Sequence, residues 1–131
     1  MHIIGTLDVG GAEKVVLNLH NSIGDNVQSS VTCLTKKQSA LKTYGFSNKN
    51  ISFFDLKIEN FFQQLFKIIK HIKKSRPDII HAHMFHGLVI GIIFKIINFR
   101  IKIVFTSHNF NAGQNPLRKI FIILSKPFRD A

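Results

Sequence analysis

The chain has 131 residues, 45% hydrophobic and 19% charged, which is the length of one domain with too much apolar content for disorder. Eight glycines and three prolines without a period exclude a collagen-like chain, and the lone Cys33 excludes an internal disulfide framework and a cysteine-based zinc knuckle. Eighteen Lys+Arg against seven Asp+Glu leave a net charge of +11, which attracts phosphates, nucleic acids or an anionic membrane leaflet unless the lysines merely face solvent.

His2-Ile3-Ile4-Gly5-Thr6 reads as a first strand, so no secretory signal is expected at the start. Leu7-Asp8-Val9-Gly10-Gly11 follows as a loop, and from Ala12 the apolar residues Val15, Val16, Leu19 and Ile23 recur at helical spacing. Gly24-Asp25-Asn26 ends that helix, and a second strand is expected from Val27 to Leu34. A polar stretch with a short helical turn leads to Gly45, and Ile51-Ser52-Phe53-Phe54 reads as a third strand. Asp55 is positioned to cap the next helix, whose Ile58, Phe61, Phe62, Leu65, Phe66, Ile69 and Ile72 read as one apolar stripe. Lys67, Lys70, His71 and Lys74 are expected on its other side, and Arg76-Pro77 stops it.

Asp78 to His83 reads as a fourth strand ending in histidines. Phe85 to Phe99 is apolar nearly all round but shorter than the roughly 20 residues of a membrane span, so it reads as a buried helix. Gly87 and Gly91, four apart, are expected to allow close packing there. Ile101 to Thr106 is a fifth strand, Ser107 to Asn115 a loop, and Pro116 the first residue of a last helix. This alternation predicts an α/β Rossmann-like open parallel sheet, with right-handed crossovers and helices on both faces.

Ligands of such sheets bind beyond the carboxyl ends of the strands. Three loops reach that edge: Asp8-Val9-Gly10-Gly11, His81-Ala82-His83 and Ser107-His108-Asn109. The glycine pair opens a helix, where free amides and the helix dipole face an anion, unless it serves only the turn. A dinucleotide site is disfavoured, since Gly-x-Gly-x-x-Gly is missing and Leu34-Thr35-Lys36-Lys37 stands where an acidic residue belongs. His81 and His83 are expected on opposite faces, His83 emerging at the edge and His81 packed. With one Tyr, no Trp and no basic stripe with interleaved aromatics, no nucleic-acid partner is expected.

Three segments together resemble the family-four glycosyltransferases: His2-Ile3-Ile4 with Gly10-Gly11-Ala12-Glu13, then Arg76 to His83, then Val104-Phe105-Thr106-Ser107-His108-Asn109. The resemblance implies the amino-terminal, acceptor-side lobe of a GT-B enzyme, which transfers a sugar from a nucleotide-sugar donor to a glycan or lipid-linked acceptor with retention. It implies that Gly10 and Gly11 approach the donor diphosphate and that His83 is the catalytic-site residue near the transferred sugar. His108 and Asn109 are implied to line the same cleft, with no cofactor and no metal. A cytoplasmic protein is implied, with peripheral contact at the inner membrane face.

The family's second, donor-binding lobe has no counterpart in these residues, and a further strand of the first lobe is expected beyond Asp130. The chain therefore reads as a single lobe, a truncated or split copy that is inactive alone and requires the missing carboxy-terminal lobe as partner. Two rival readings remain. His81-Ala82-His83-Met84-Phe85-His86 fits the His-x-His-x-x-His of zinc hydrolases of the metallo-β-lactamase type, although Phe85 stands where that pattern has Asp. The lysine face of Lys67, Lys70, Lys73 and Lys74 fits a non-catalytic module for anionic lipid or a partner.

Overall fold

The computed structural model describes residues 1–24, 26–108 and 116–130. Five strands alternate with helices: β1 (His2–Ile4), α1 (Gly11–Ser22), β2 (Val31–Cys33), α2 (Ser39–Tyr44), β3 (Ile51–Phe53), α3 (Phe61–Ser75), β4 (Ile79–His83), α4 (Met84–Ile97), β5 (Lys102–Thr106) and α5 (Pro116–Leu124). All strands pair in parallel in the order β3-β2-β1-β4-β5. The predicted Rossmann-like sheet is therefore present, with shorter strands than the sequence suggested. The second strand begins at Val31 rather than Val27, because Val27 donates to Gly24 O in a turn.

Alternation along β1 divides the core in two. Ile3 joins Ile80, Ala82 and Ile103 beneath Ile68 and Ile72 of α3 and Leu88, Ile90 and Phe94 of α4. Ile4 joins Val31 and Cys33 on the other face, beneath Val16 and Leu17 of α1 and Ala40 and Leu41 of α2. The buried face of α1 is thus Glu13, Val16 and Leu17, while Val15 and Leu19, which recur at helical spacing with Val16, are exposed.

A larger correction concerns α3. Its stripe does not act as one face. Ile68 and Ile72 are buried and Leu65 and Ile69 pack against the core, but Ile58, Phe62 and Phe66 are 94%, 84% and 70% exposed. These three, spaced by four, form a second apolar row that runs into Lys70. Asp55 is not the cap either. The chain first makes a 3-10 turn at Ile58–Asn60, Asn60 precedes the helix, and Asp55 pairs with Lys36 and Lys57. Arg76, in the left-handed region at φ 45°, ends α3 before Pro77 as expected.

The chain runs β1, β2, β3 in one direction and returns to the other side of β1 with β4, so the switch in strand order lies between β1 and β4. In an open α/β sheet this is where a crevice opens at the carboxyl edge. The loop after β1 carries Gly10 and Gly11, β4 ends at His83, and His108 follows β5.

Candidate functional site

β4 passes into α4 with no intervening loop. His83 is the residue before the helix, and Met84 makes the turn at φ 59°, a left-handed conformation rare outside glycine. Such strain persists where surrounding packing overrides it, and it clusters at functional sites. Here it fixes the direction in which His83 leaves the strand.

Side chains of a strand repeat every two residues, so positions i and i+2 share a face. The expectation of opposite faces for His81 and His83 is therefore corrected: their rings lie 4.0 Å apart on one side of β4. The expected burial is also reversed. His83 is fully buried, whereas His81 is partly exposed and its Nε2 lies 2.8 Å from Thr106 Oγ1. His83 sits in the middle of an imidazole row, with Nε2 3.1 Å from His2 Nδ1 and Nδ1 3.0 Å from His108 Nε2. His108 is partly exposed at the end of that row. Each of these contacts requires one ring to donate its N–H to the bare nitrogen of the next, so His83, with a neighbour at both nitrogens, serves as donor on one side and acceptor on the other when it is neutral.

The electrostatics agree. Burial, then the nearby His81, His2 and His108, hold His83 down to about 2. Burial, then the amino terminus, His81 and His20, hold His2 down to about 3. His81 is also lowered, chiefly by burial. His2, His81 and His83 are thus neutral donors and acceptors at physiological pH, suited to orienting hydroxyl groups rather than to holding a charge.

The glycine loop lies beyond the neighbouring strand. Gly10 precedes α1 in extended conformation and Gly11 is exposed, with open space where a Cβ would stand. The carboxylate of Glu13, in the first turn of α1, lies against Gly10 and already occupies part of the positive end of the helix. The same loop is braced from behind: Asp8 accepts from Ser39 and from the Val9 amide and pairs with Lys37, and Tyr44 donates to Gly10 O. An anion entering here would meet the Gly11 end of the loop.

Of the sequence-predicted residues, His83 and His108 come together, Gly10 and Gly11 flank the same switch point, and Asn109 lies outside the described residues. His2 and Thr106 were missed. No local signal could have found His2, since only the pairing of β1 with β4 sets it in register with His81. His86 does not join the row. It is exposed on α4 beside Phe85 and Gly5, so the run His81, His83, His86 is not a three-histidine ligand set. Among the described residues, the trio whose ligand nitrogens lie within 4.8 Å of one another is His2, His81 and His83.

A parallel sheet with its crevice at a glycine loop and a histidine row defines a Rossmann-like α/β lobe. The chain belongs to Glycosyltransferase Family 4, whose family model matches residues 9–131. Comparison with curated proteins finds no match.

Proposed function

We propose that this chain is the acceptor-side lobe of an enzyme that moves a sugar from a nucleotide-sugar donor to a glycan or lipid-linked acceptor. The observation that carries the reading is the imidazole row ending in His108, at the same switch point as the glycine loop. Transfer of this kind relies on positioning and on electrostatic stabilisation of the departing diphosphate and the cationic sugar. In this reading His108 and His81 present ring nitrogens to acceptor hydroxyls, and His83, being buried, acts through His108 as a positioning residue. The exposed Gly11 end of the loop meets the diphosphate. A donor-binding lobe closes the other side.

One observation favours a lipid-linked acceptor. Ile58, Phe62 and Phe66 form an exposed apolar row at the amino end of α3, beside Lys57, Lys67 and Lys70. Helices in this fold run opposite to the strands, so that end of α3 lies at the carboxyl edge where the crevice opens. Aromatic residues inserted between headgroups, with lysines on anionic phosphates, would hold the lobe on a membrane surface with its crevice towards the lipid. Among the described residues no helix is long and apolar enough to cross a membrane.

The test is a nuclear magnetic resonance titration of the 131-residue chain with nucleotide-sugars and with detergent-dispersed polyprenyl-linked sugars. Shifts at the His81 and His108 rings with acceptor, and at the Gly11 amide with donor, are expected. No shift with any acceptor would overturn the acceptor-side reading. Turnover of a nucleotide-sugar by the isolated chain would overturn the requirement for a second lobe.

A further inference from the structure

His81 and His83 are two apart on β4, and His2 stands on β1 in register with His81. All three rings therefore occupy one face of two paired strands. Their centroids lie 4.0 Å apart for His81 and His83, and 5.3 Å apart for His2 with either. The candidate ligand nitrogens all fall within 4.8 Å of one another. Two histidines of a His-x-His strand plus one from the adjacent strand supply three convergent imidazoles without help from a loop.

We infer that His2, His81 and His83 form a binding site for a divalent transition-metal ion of the zinc class, distinct from the His-x-His-x-x-His run that ends at His86. Zinc–nitrogen bonds of about 2.0–2.1 Å at tetrahedral angles set ligand nitrogens about 3.3 Å apart. His2 Nδ1 and His83 Nε2 are 3.1 Å apart, so a metal replaces their shared hydrogen bond with little backbone movement. His83 Nδ1 then remains free to donate to His108 Nε2 at 3.0 Å, the kind of outer hydrogen bond that fixes the tautomer of a ligating imidazole. His81 can turn either ring nitrogen to the ion, giving up Thr106 if it uses Nε2.

The donor set is three neutral nitrogens with no carboxylate, which suits zinc, cobalt or copper and not magnesium or calcium. The fourth position opens on the side of His81, the most accessible of the three. It would hold water. Binding withdraws His83 Nε2 and His2 from the imidazole row, so occupancy and the resting hydrogen-bonded row are alternatives.

The test uses tag-free chain, freed of metal by a chelator, and titrates it with Zn2+ and separately with Co2+. One equivalent per chain is expected, with the strong visible absorption of four-coordinate Co2+, displaced by Zn2+. His81→Gln and His2→Gln should each weaken binding by tenfold or more, while His20→Gln and His71→Gln should leave it unchanged. Since His2 is buried and its variant could fail to fold, Zn2+-induced changes at the His81 and His2 ring resonances of the unaltered chain provide a second measurement. No stoichiometric binding, equal binding by the His81→Gln chain, or ring changes confined to other histidines would overturn the site. The acceptor titration involves no metal, so loss of either reading leaves the other standing.

Discussion

A Cβ placed on Gly87 would stand 2.5 Å from the carbonyl oxygen of Ile3. Helix α4 therefore lies directly on the backbone of β1, and no side chain separates them. Gly91, one turn further on, meets only ordinary contacts at 3.6–3.7 Å from Ile103, Ile80 and Ala82. The two glycines of this helix, alike in the sequence, have different reasons to be there.

Gly87→Ala is expected to destabilise the fold by about 1–3 kcal/mol, because backbone on both sides must shift. Gly91→Ala is expected to be neutral or to stabilise by up to about 1 kcal/mol, through better helix propensity. Urea melts of the two variants distinguish them, and equal effects would contradict the close approach.

The buried imidazoles make stability depend on pH. In the unfolded chain a histidine takes a proton near 6.5. In the fold His2 and His83 stay neutral down to about 3 and about 2. Below 6.5 the unfolded state therefore binds more protons, and stability falls as pH falls from about 6.5 towards 3. Each group contributes at most about 1.4 kcal/mol per pH unit in that window and nothing above it. Melting temperatures of the metal-free chain between pH 7.5 and 5 should show this slope, and His2→Gln should reduce it.

If His83 positions His108, its removal should lower the rate more than the affinity. In the enzyme assembled with a donor-binding lobe, His83→Ala is expected to lower kcat on the order of a hundredfold, with little change in acceptor KM. His83→Gln keeps a donor and an acceptor and should recover part of the loss. His71→Ala, on α3 and in no contact with the row, should leave the rate near that of the unaltered protein. A His83→Ala enzyme of unchanged rate would remove His83 from the mechanism.

Phe62→Ser with Phe66→Ser tests the membrane row on α3. Both side chains are largely exposed, so the melting temperature should change little. Binding to vesicles of anionic phospholipid should fall tenfold or more, and high salt should weaken what remains by screening the lysines. Unchanged vesicle binding would assign this row to another role.

On its last helix the chain exposes Ile120, Ile123 and Leu124, spaced to share one side, while Phe121 and Ile122 pack against the core. β5 is an edge strand of the sheet, held at Ile103, whose carbonyl accepts from the Asp130 amide and whose amide donates to the Asp130 carboxylate. Exposed apolar helix beside a strand edge favours self-association. The isolated chain is expected to associate at micromolar concentration despite its net charge, and Ile120→Gln with Leu124→Gln should shift it towards monomer by sedimentation.

By itself the sequence determined the α/β alternation, the parallel sheet it implies, and the placing of Gly10-Gly11, His83 and His108 after or at the ends of strands. These follow from local periodicity and from glycine and proline punctuation, which nearby residues decide. The resemblance to glycosyltransferases was legible for the same reason, in short runs such as Arg76 to His83. The tertiary structure alone decided which histidines meet. His2 and His83 are 81 residues apart, and only the return of the chain to the far side of β1 places their strands together. It also decided burial. Phe62 and Phe66 share helical spacing with core residues, but α3 can turn only one side to the sheet, and Ile68 and Ile72 claim it. His83, polar and at a strand end, is covered by three other imidazoles that no local pattern could place around it.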